Sequence, residues 1–336
     1  MRRLPHRRDE SGAGGVSVTS FAACGLAVGH ATDAEGATGC TVIRGIDAPF
    51  LCGVHVLGRA TGTRELALLD PAHLVDRVDG ILLAGGSAYG LDAAAGVMRW
   101  MEGQGRGFPV GEGVVPIVPA AVIFDLAPFG RFDARPTAEM AFAACESATS
   151  GEVPEGSIGA GTGASVGKIA GPNAAMKGGL GIGAAAAGTV EVRALAVVNA
   201  LGDIRDASGS IIAGARDAGA RWLDTEAWIA SGVDGAPPAN FDALAGRSTT
   251  LCVVSTNAAL SRVQVGALAR AASAALYRRI TPVGTAFDGD IVFATAPTRD
   301  GVVASPSRVE SLAVLALERA IERAVRTLAP GEIAQA

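Results

Sequence analysis

Ser248-Thr249-Thr250-Leu251-Cys252-Val253-Val254-Ser255 is the stretch on which the reading of this chain turns. From Thr249 onward it is β-branched and apolar with no polar alternation, the pattern of a strand covered on both faces. Working outward, residues 41–43, 80–84, 114–124, 190–199 and 291–295 repeat that pattern and read as further strands. Helical periodicity is clearest over 91–101, 137–147, 260–277 and 309–328, the last with Glu310, Glu318, Arg319, Glu322 and Arg323 on a solvated face. Strands buried on both sides need helices to cover them, which predicts a layered α/β fold. Residues 203–247, with Ala-Pro-Pro and several Gly, read as a long surface excursion before the strand at Thr249.

Composition agrees with close layering. Of 336 residues 49% are hydrophobic and only 4% aromatic, while Gly numbers 46, so backbones approach wherever Gly removes the side chain. A net charge of -5 provides no basic field for phosphate backbones, and nucleic acid is excluded as a partner. The five cysteines are scattered and lack a CxxC pair, so they read as small buried hydrophobes in a reducing, cytoplasmic compartment. Four histidines without HxxxH spacing leave a metal site unsupported. Basic residues before Phe21-Ala22-Ala23-Cys24 loosely imitate an export signal, but Asp9, Glu10, Ser17, Thr19 and Ser20 interrupt it. The expectation is a disordered tail over residues 1–15, one catalytic domain over 16–336, and no membrane span.

Several motifs invite chemistry. Gly161 to Lys168 (GTGASVGK) imitates a phosphate loop, but Thr162 stands where the first Gly belongs and Ile169 replaces the magnesium-binding hydroxyl, so no nucleotide is expected. Gly85-Gly86-Ser87-Ala88-Tyr89-Gly90 imitates a nucleophile elbow with Tyr89 in place of the second Gly, and reads as a tight strand-to-helix turn. Only Lys168 and Lys177 are lysine among 28 basic residues. A Lys kept in the apolar setting Ala175-Met176-Lys177-Gly178-Gly179 is either needed for its compact, tunable ammonium or a survivor of Arg bias; Lys168 carries less weight. Asp288-Gly289-Asp290 is either a solvated turn or a carboxylate pair that orients an amine or hydroxyl. Asn199, closing an apolar run, is either a strand-end cap or a donor to a polarised carbonyl. Thr249 and Thr250 taken alone are a β-branched strand start.

In their order along the chain these pieces resemble the self-cleaving DmpA-like peptidase family, which contains L-aminopeptidase/D-esterase, β-peptidyl aminopeptidases and nylon-oligomer endohydrolase. The carriers span residues 16–325 and include Val28-Gly29-His30, Gly62-Thr63-Arg64-Glu65, Leu82-Leu83-Ala84-Gly85-Gly86-Ser87, Val115-Pro116-Ile117-Val118-Pro119, Met176-Lys177-Gly178-Gly179, Val198-Asn199, Ser248-Thr249-Thr250-Leu251 and Phe287-Asp288-Gly289-Asp290. The threonine and the Asp-Gly-Asp element look like the nylon-oligomer branch; the aminopeptidase branch has Ser at the nucleophile, and Ser and Glu at the carboxylate positions.

The resemblance implies an α/β/β/α sandwich of the N-terminal-nucleophile type. It implies self-cleavage between Ser248 and Thr249 into parts 16–248 and 249–336, and a homo-oligomer of the cleaved units. It makes Thr249 the nucleophile, Lys177 and Asn199 its partners, and Asp288 and Asp290 the orienting carboxylates. Linear amides or peptides are the implied substrates, with no cofactor or metal. Ser248 departs from the Asn often found before the nucleophile, and Phe142 aligns with a position often held by Tyr. The rival readings are an acyltransferase of the ornithine-acetyltransferase type and an uncleaved, inactive binding protein.

Overall fold

A computed structural model describes residues 19–232 and 247–328; the tail expected over 1–15 lies outside these. The strands that build the frame are β1 (Leu26–Asp33), β2 (Thr38–Gly45), β3 (Phe50–Val56), β4 (Gly62–Arg64), β5 (Gly80–Ala84), β6 (Ala120–Val122), β7 (Gly179–Ala187), β8 (Val190–Asn199), β9 (Thr249–Thr256) and β10 (Ile291–Pro297). The covering helices are α1 (Ala94–Gly103), α2 (Ala138–Glu146), α3 (Arg262–Ala272), α4 (Ala274–Arg279) and α5 (Pro306–Arg326). Two five-stranded sheets result, in the orders β1-β2-β5-β6-β4 and β7-β8-β9-β10-β3.

Why these strands lack polar alternation is visible in where successive side chains go. Leu251 and Val253 of β9 enter the core between the sheets, with Leu195 and Val197 of β8 and Ile81 and Leu83 of β5. Their neighbours Cys252 and Val254 face the opposite way, onto α3 and α5. On the other sheet Leu82 and Ala84 turn outward onto α1 and α2. Both faces of both sheets are therefore apolar, and the layers run helix, sheet, sheet, helix. Phe21 and Cys24 at the start of the described chain pack into the inter-sheet core, and all five cysteines are free and buried.

Several boundaries moved. The run at 114–124 is not one strand: Pro116 and Pro119 cannot donate to a ladder, so Gly113–Val115 closes a hairpin and only β6 joins the sheet. The helix expected over 260–277 divides at Ser273 into α3 and α4. Glu318, expected on a solvated face, is buried, because Arg278 and Arg279 both reach it at 2.9 Å. Part of the 203–247 excursion is structured: strands Asp203–Arg205 and Ile211–Ala213 and a helix, Thr225–Ser231, lie within it, while 233–246 are outside the described residues.

Close backbone approach explains part of the glycine content. A Cβ on Gly181 or Gly183 of β7 would overlap the carbonyl oxygen of Ala320 or Ala316, so α5 lies directly on the strand. Gly181→Ala is therefore expected to destabilise the fold by about 2–3 kcal/mol through overpacking, read as a lower urea midpoint at unchanged slope.

Candidate active site

The ends of three neighbouring strands meet at one point. In the antiparallel pair of β8 and β9, Asn199 stands opposite Thr249. β10 runs parallel to β9 with Leu251 opposite Ile291, so the residues preceding each strand also come together, and Ser248 bridges Asp288. Ser248, Thr249, Asn199, Asp288 and Asp290 are all buried. Five residues that are scattered along the chain thus share one site.

Around the Ser248–Thr249 peptide bond the hydrogen bonds are specific. The hydroxyl of Thr249 donates to the carbonyl oxygen of Ser248 at 2.6 Å. The backbone N–H of Gly289 donates to the same oxygen at 2.8 Å. A Cβ on Gly289 would sit 2.7 Å from both Thr249 Oγ1 and the Ala60 carbonyl oxygen, which is tighter than real contacts, so only glycine fits between them. Asp290 accepts from Thr250 N at 2.6 Å and from Gly284 N at 3.2 Å, and Asp288 accepts from Thr285 N at 2.8 Å. These N–H bonds hold both carboxylates in place from neighbouring backbone. Asp288 is part of a short bridge rather than a regular strand, so the pair is set by the loop leading into β10.

The second half of the site is built on a lysine that sequence reasoning ranked low. Lys168 is buried, and its Nζ donates to Asn199 Oδ1 at 2.7 Å, to the Asn199 carbonyl at 3.0 Å and to the Arg247 carbonyl at 2.5 Å. Asn199 Nδ2 donates to the same Arg247 oxygen and to the Phe124 carbonyl, both at 3.2 Å. Its Oδ1 also accepts from Ser165 N at 3.0 Å, which fixes the amide orientation. Lys177 lies on the adjoining ribbon opposite Ser165; its Nζ donates to the Thr162 carbonyl and sits 5.5 Å from the Phe129 ring centre. The signal for Lys168 was in the sequence, as one of two lysines, but the apolar setting of Lys177 drew the greater weight.

Electrostatics couple the two halves. Burial pulls Lys168 down to about 7, against the opposing pull of Asp288, Asp290 and Asp125. Burial, helped by the charge of Asp288, pushes Asp290 up to about 7. Asp288 is also raised by burial, with Lys168 among the groups holding it down. Near neutral pH the cluster can therefore gain and lose protons, as a site that activates a hydroxyl requires.

The structure also places Phe142, the turn at 85–90 and the segment 161–168. Phe142 lies on α2 beneath Arg99, at 5.2 Å from its guanidinium carbon. At the site itself Phe124 presents its carbonyl to Asn199 Nδ2, and its ring centre lies 5.7 Å from the Arg247 guanidinium carbon. Gly85 to Gly90 does form a strand-to-helix turn, with Gly86 and Ser87 at φ of 80° and 54°. Gly161 to Lys168 contributes the two-residue strand Ser165–Val166 and then Lys168 itself. Among the described residues no helix is long and apolar enough to cross a membrane, and no three His, Cys, Asp or Glu gather as a metal site.

Comparison with known proteins sets this site in a family. Residues 23–330 match peptidase family S58. An uncharacterized aminopeptidase of Mycobacterium tuberculosis is 40% identical over 338 residues, covering 93% of this chain and 90% of the relative. The 6-aminohexanoate-oligomer endohydrolase of Kocuria sp. is 35% identical over 279 residues, covering 80% of this chain and 72% of the relative. Among solved structures, the L-aminopeptidase D-Ala-esterase/amidase from Ochrobactrum anthropi, a variant of the Ntn hydrolase fold, superposes with a TM-score of 0.66 at 20% identity, covering 94% of this chain and 88% of that one. With a layered α/β/β/α sandwich of that type and a match over nearly its whole length, the chain belongs to peptidase family S58.

Proposed function

We propose that this chain is a self-processing amide hydrolase whose nucleophile is Thr249, freed as a new N-terminus by cleavage after Ser248. The observation that carries this reading is the Thr249 hydroxyl resting 2.6 Å from the carbonyl oxygen of the bond it would attack. Attack forms a bond from Thr249 Oγ1 to the Ser248 carbonyl carbon. The C–N bond then breaks, the hydroxyl proton ends on the Thr249 nitrogen, and an ester remains. Water hydrolyses the ester, restoring the hydroxyl and leaving a carboxylate on Ser248. Parts 16–248 and 249–336 then form one catalytic unit, which we expect to assemble as a homo-oligomer.

Processing supplies the base for turnover. A free α-amine with a pKa of about 7.7–8.0 can take the Thr249 hydroxyl proton near neutral pH, which an amide nitrogen cannot. Thr249 then attacks a substrate amide, the amine product leaves, and water releases the acyl group. Release of the Arg247 carbonyl frees Asn199 Nδ2 and Lys168 Nζ to donate to the substrate. Asp288 and Asp290 orient the α-amine and balance the lysine, with Lys177 a partner further out. The names of the aminopeptidase and endohydrolase relatives support a small amide or peptide as substrate.

Intact mass under denaturing conditions tests the reading. The 33.5 kDa chain is expected to resolve into fragments of about 25 and 9 kDa, the signature of a processed N-terminal nucleophile. A chain that stays whole after prolonged incubation at neutral pH sinks it.

A further inference from the structure

The segment before the nucleophile also marks where an acyl group is held. In the uncut chain the residue before the scissile one, Arg247, presents its carbonyl to Lys168 Nζ at 2.5 Å and Asn199 Nδ2 at 3.2 Å, while its side chain is exposed. We propose that these two donors form a subsite for a second carbonyl, one residue beyond the bond cleaved, so that the preferred acyl donor is the interior of an amide chain and not a free amino terminus.

This inference rests on the self-processing reading, and chemical identity connects the two. The ester formed during self-cleavage joins the Ser248 acyl group to Thr249 Oγ1 beside a free α-amine. An acyl-enzyme made from an outside chain ending in Arg-Ser has the same atoms and bonds. A competent processing site has therefore already handled an extended acyl group with its second carbonyl on Lys168 and Asn199. Both groups reach that oxygen as donors. A substrate α-ammonium arriving at the same point would face the Lys168 ammonium and the Asn199 Nδ2 donor, whereas an amide carbonyl accepts from both. Arg247 itself is exposed, so the residue that carries this carbonyl is open to solvent.

The test uses processed protein and two p-nitroanilides with the same scissile bond: serine p-nitroanilide with a free amine, and its N-acetyl derivative. The acetyl carbonyl occupies the position of the Arg247 carbonyl, so the pair sets a neutral acceptor against an ammonium donor at that point. The acetylated compound is expected to have a kcat/KM at least about tenfold higher, in line with a charge-assisted hydrogen bond. Equal rates, a preference for the free amine, or no release of p-nitroaniline from either compound by cut protein would overturn the subsite. Intact mass on the same sample separates the two failures: a chain that never cuts removes the processing reading and this inference with it, whereas a cut chain with the wrong preference removes this inference alone.

Discussion

Thr249→Ala is expected to give a single uncut chain with activity on amides lowered by roughly 10⁴-fold or more, the scale on which loss of a nucleophile acts. The mutated side chain is buried, and among the described residues its hydroxyl bonds the Ser248 carbonyl oxygen alone, which Gly289 N–H continues to hold. Removing the hydroxyl and one methyl group from β9 therefore costs stability of about 1–2 kcal/mol, and circular dichroism should report a folded protein. Thr249→Ser separates chemistry from packing. It keeps the oxygen in the same reach, so cutting into two fragments should persist, at a rate within about tenfold of wild type because the lost methyl only loosens the rotamer. A Thr249→Ala chain that still divides at this bond would assign cleavage to another group.

The second large effect is expected at Lys168. Lys168→Met keeps an unbranched side chain of similar length in a buried position but removes the cation that binds Asn199 Oδ1 and the Arg247 carbonyl. Self-cleavage and amide turnover should each slow by about 10–100-fold, the scale for losing a charge-assisted hydrogen bond to a buried carbonyl. Lys177→Met, on the neighbouring ribbon with Thr162 and Phe129 as partners, is expected to stay within about tenfold of wild type.

The pH profile supplies an independent readout. Asp288 is held down in part by Lys168, so removing the ammonium raises that carboxyl further. In the proposed mechanism the ionised carboxylate is the orienting form, so the acid limb of the rate profile should move to higher pH in Lys168→Met. If Lys177→Met produces the larger loss and Lys168→Met leaves the profile in place, the assignment of the two lysines is reversed.

How far the sequence led is clearest at particular residues. Alternation was absent from residues 249–255 because Leu251 and Val253 face one core while Cys252 and Val254 face another, so the two-sided burial of β9 was readable directly. The short polar motifs could be named but not connected. Asn199 and Thr249 lie fifty positions apart, and their pairing depends on the register between β8 and β9. The same limit applied to Glu318, whose solvated appearance on a helical wheel gave way to burial once α4 brought Arg278 and Arg279 against it.

Sequence by itself determined the layered α/β class, because periodicity is a local property, and a family resemblance, which in turn named Thr249, Lys177, Asn199, Asp288 and Asp290 as the candidate set. Tertiary structure alone decided that Lys168 is the lysine against Asn199, that the Phe124 carbonyl receives Asn199 Nδ2, and that Gly289 N–H holds the Ser248 carbonyl. Those contacts join segments far apart in the chain, and two of them are made by backbone atoms that every residue possesses, so no side-chain pattern could announce them.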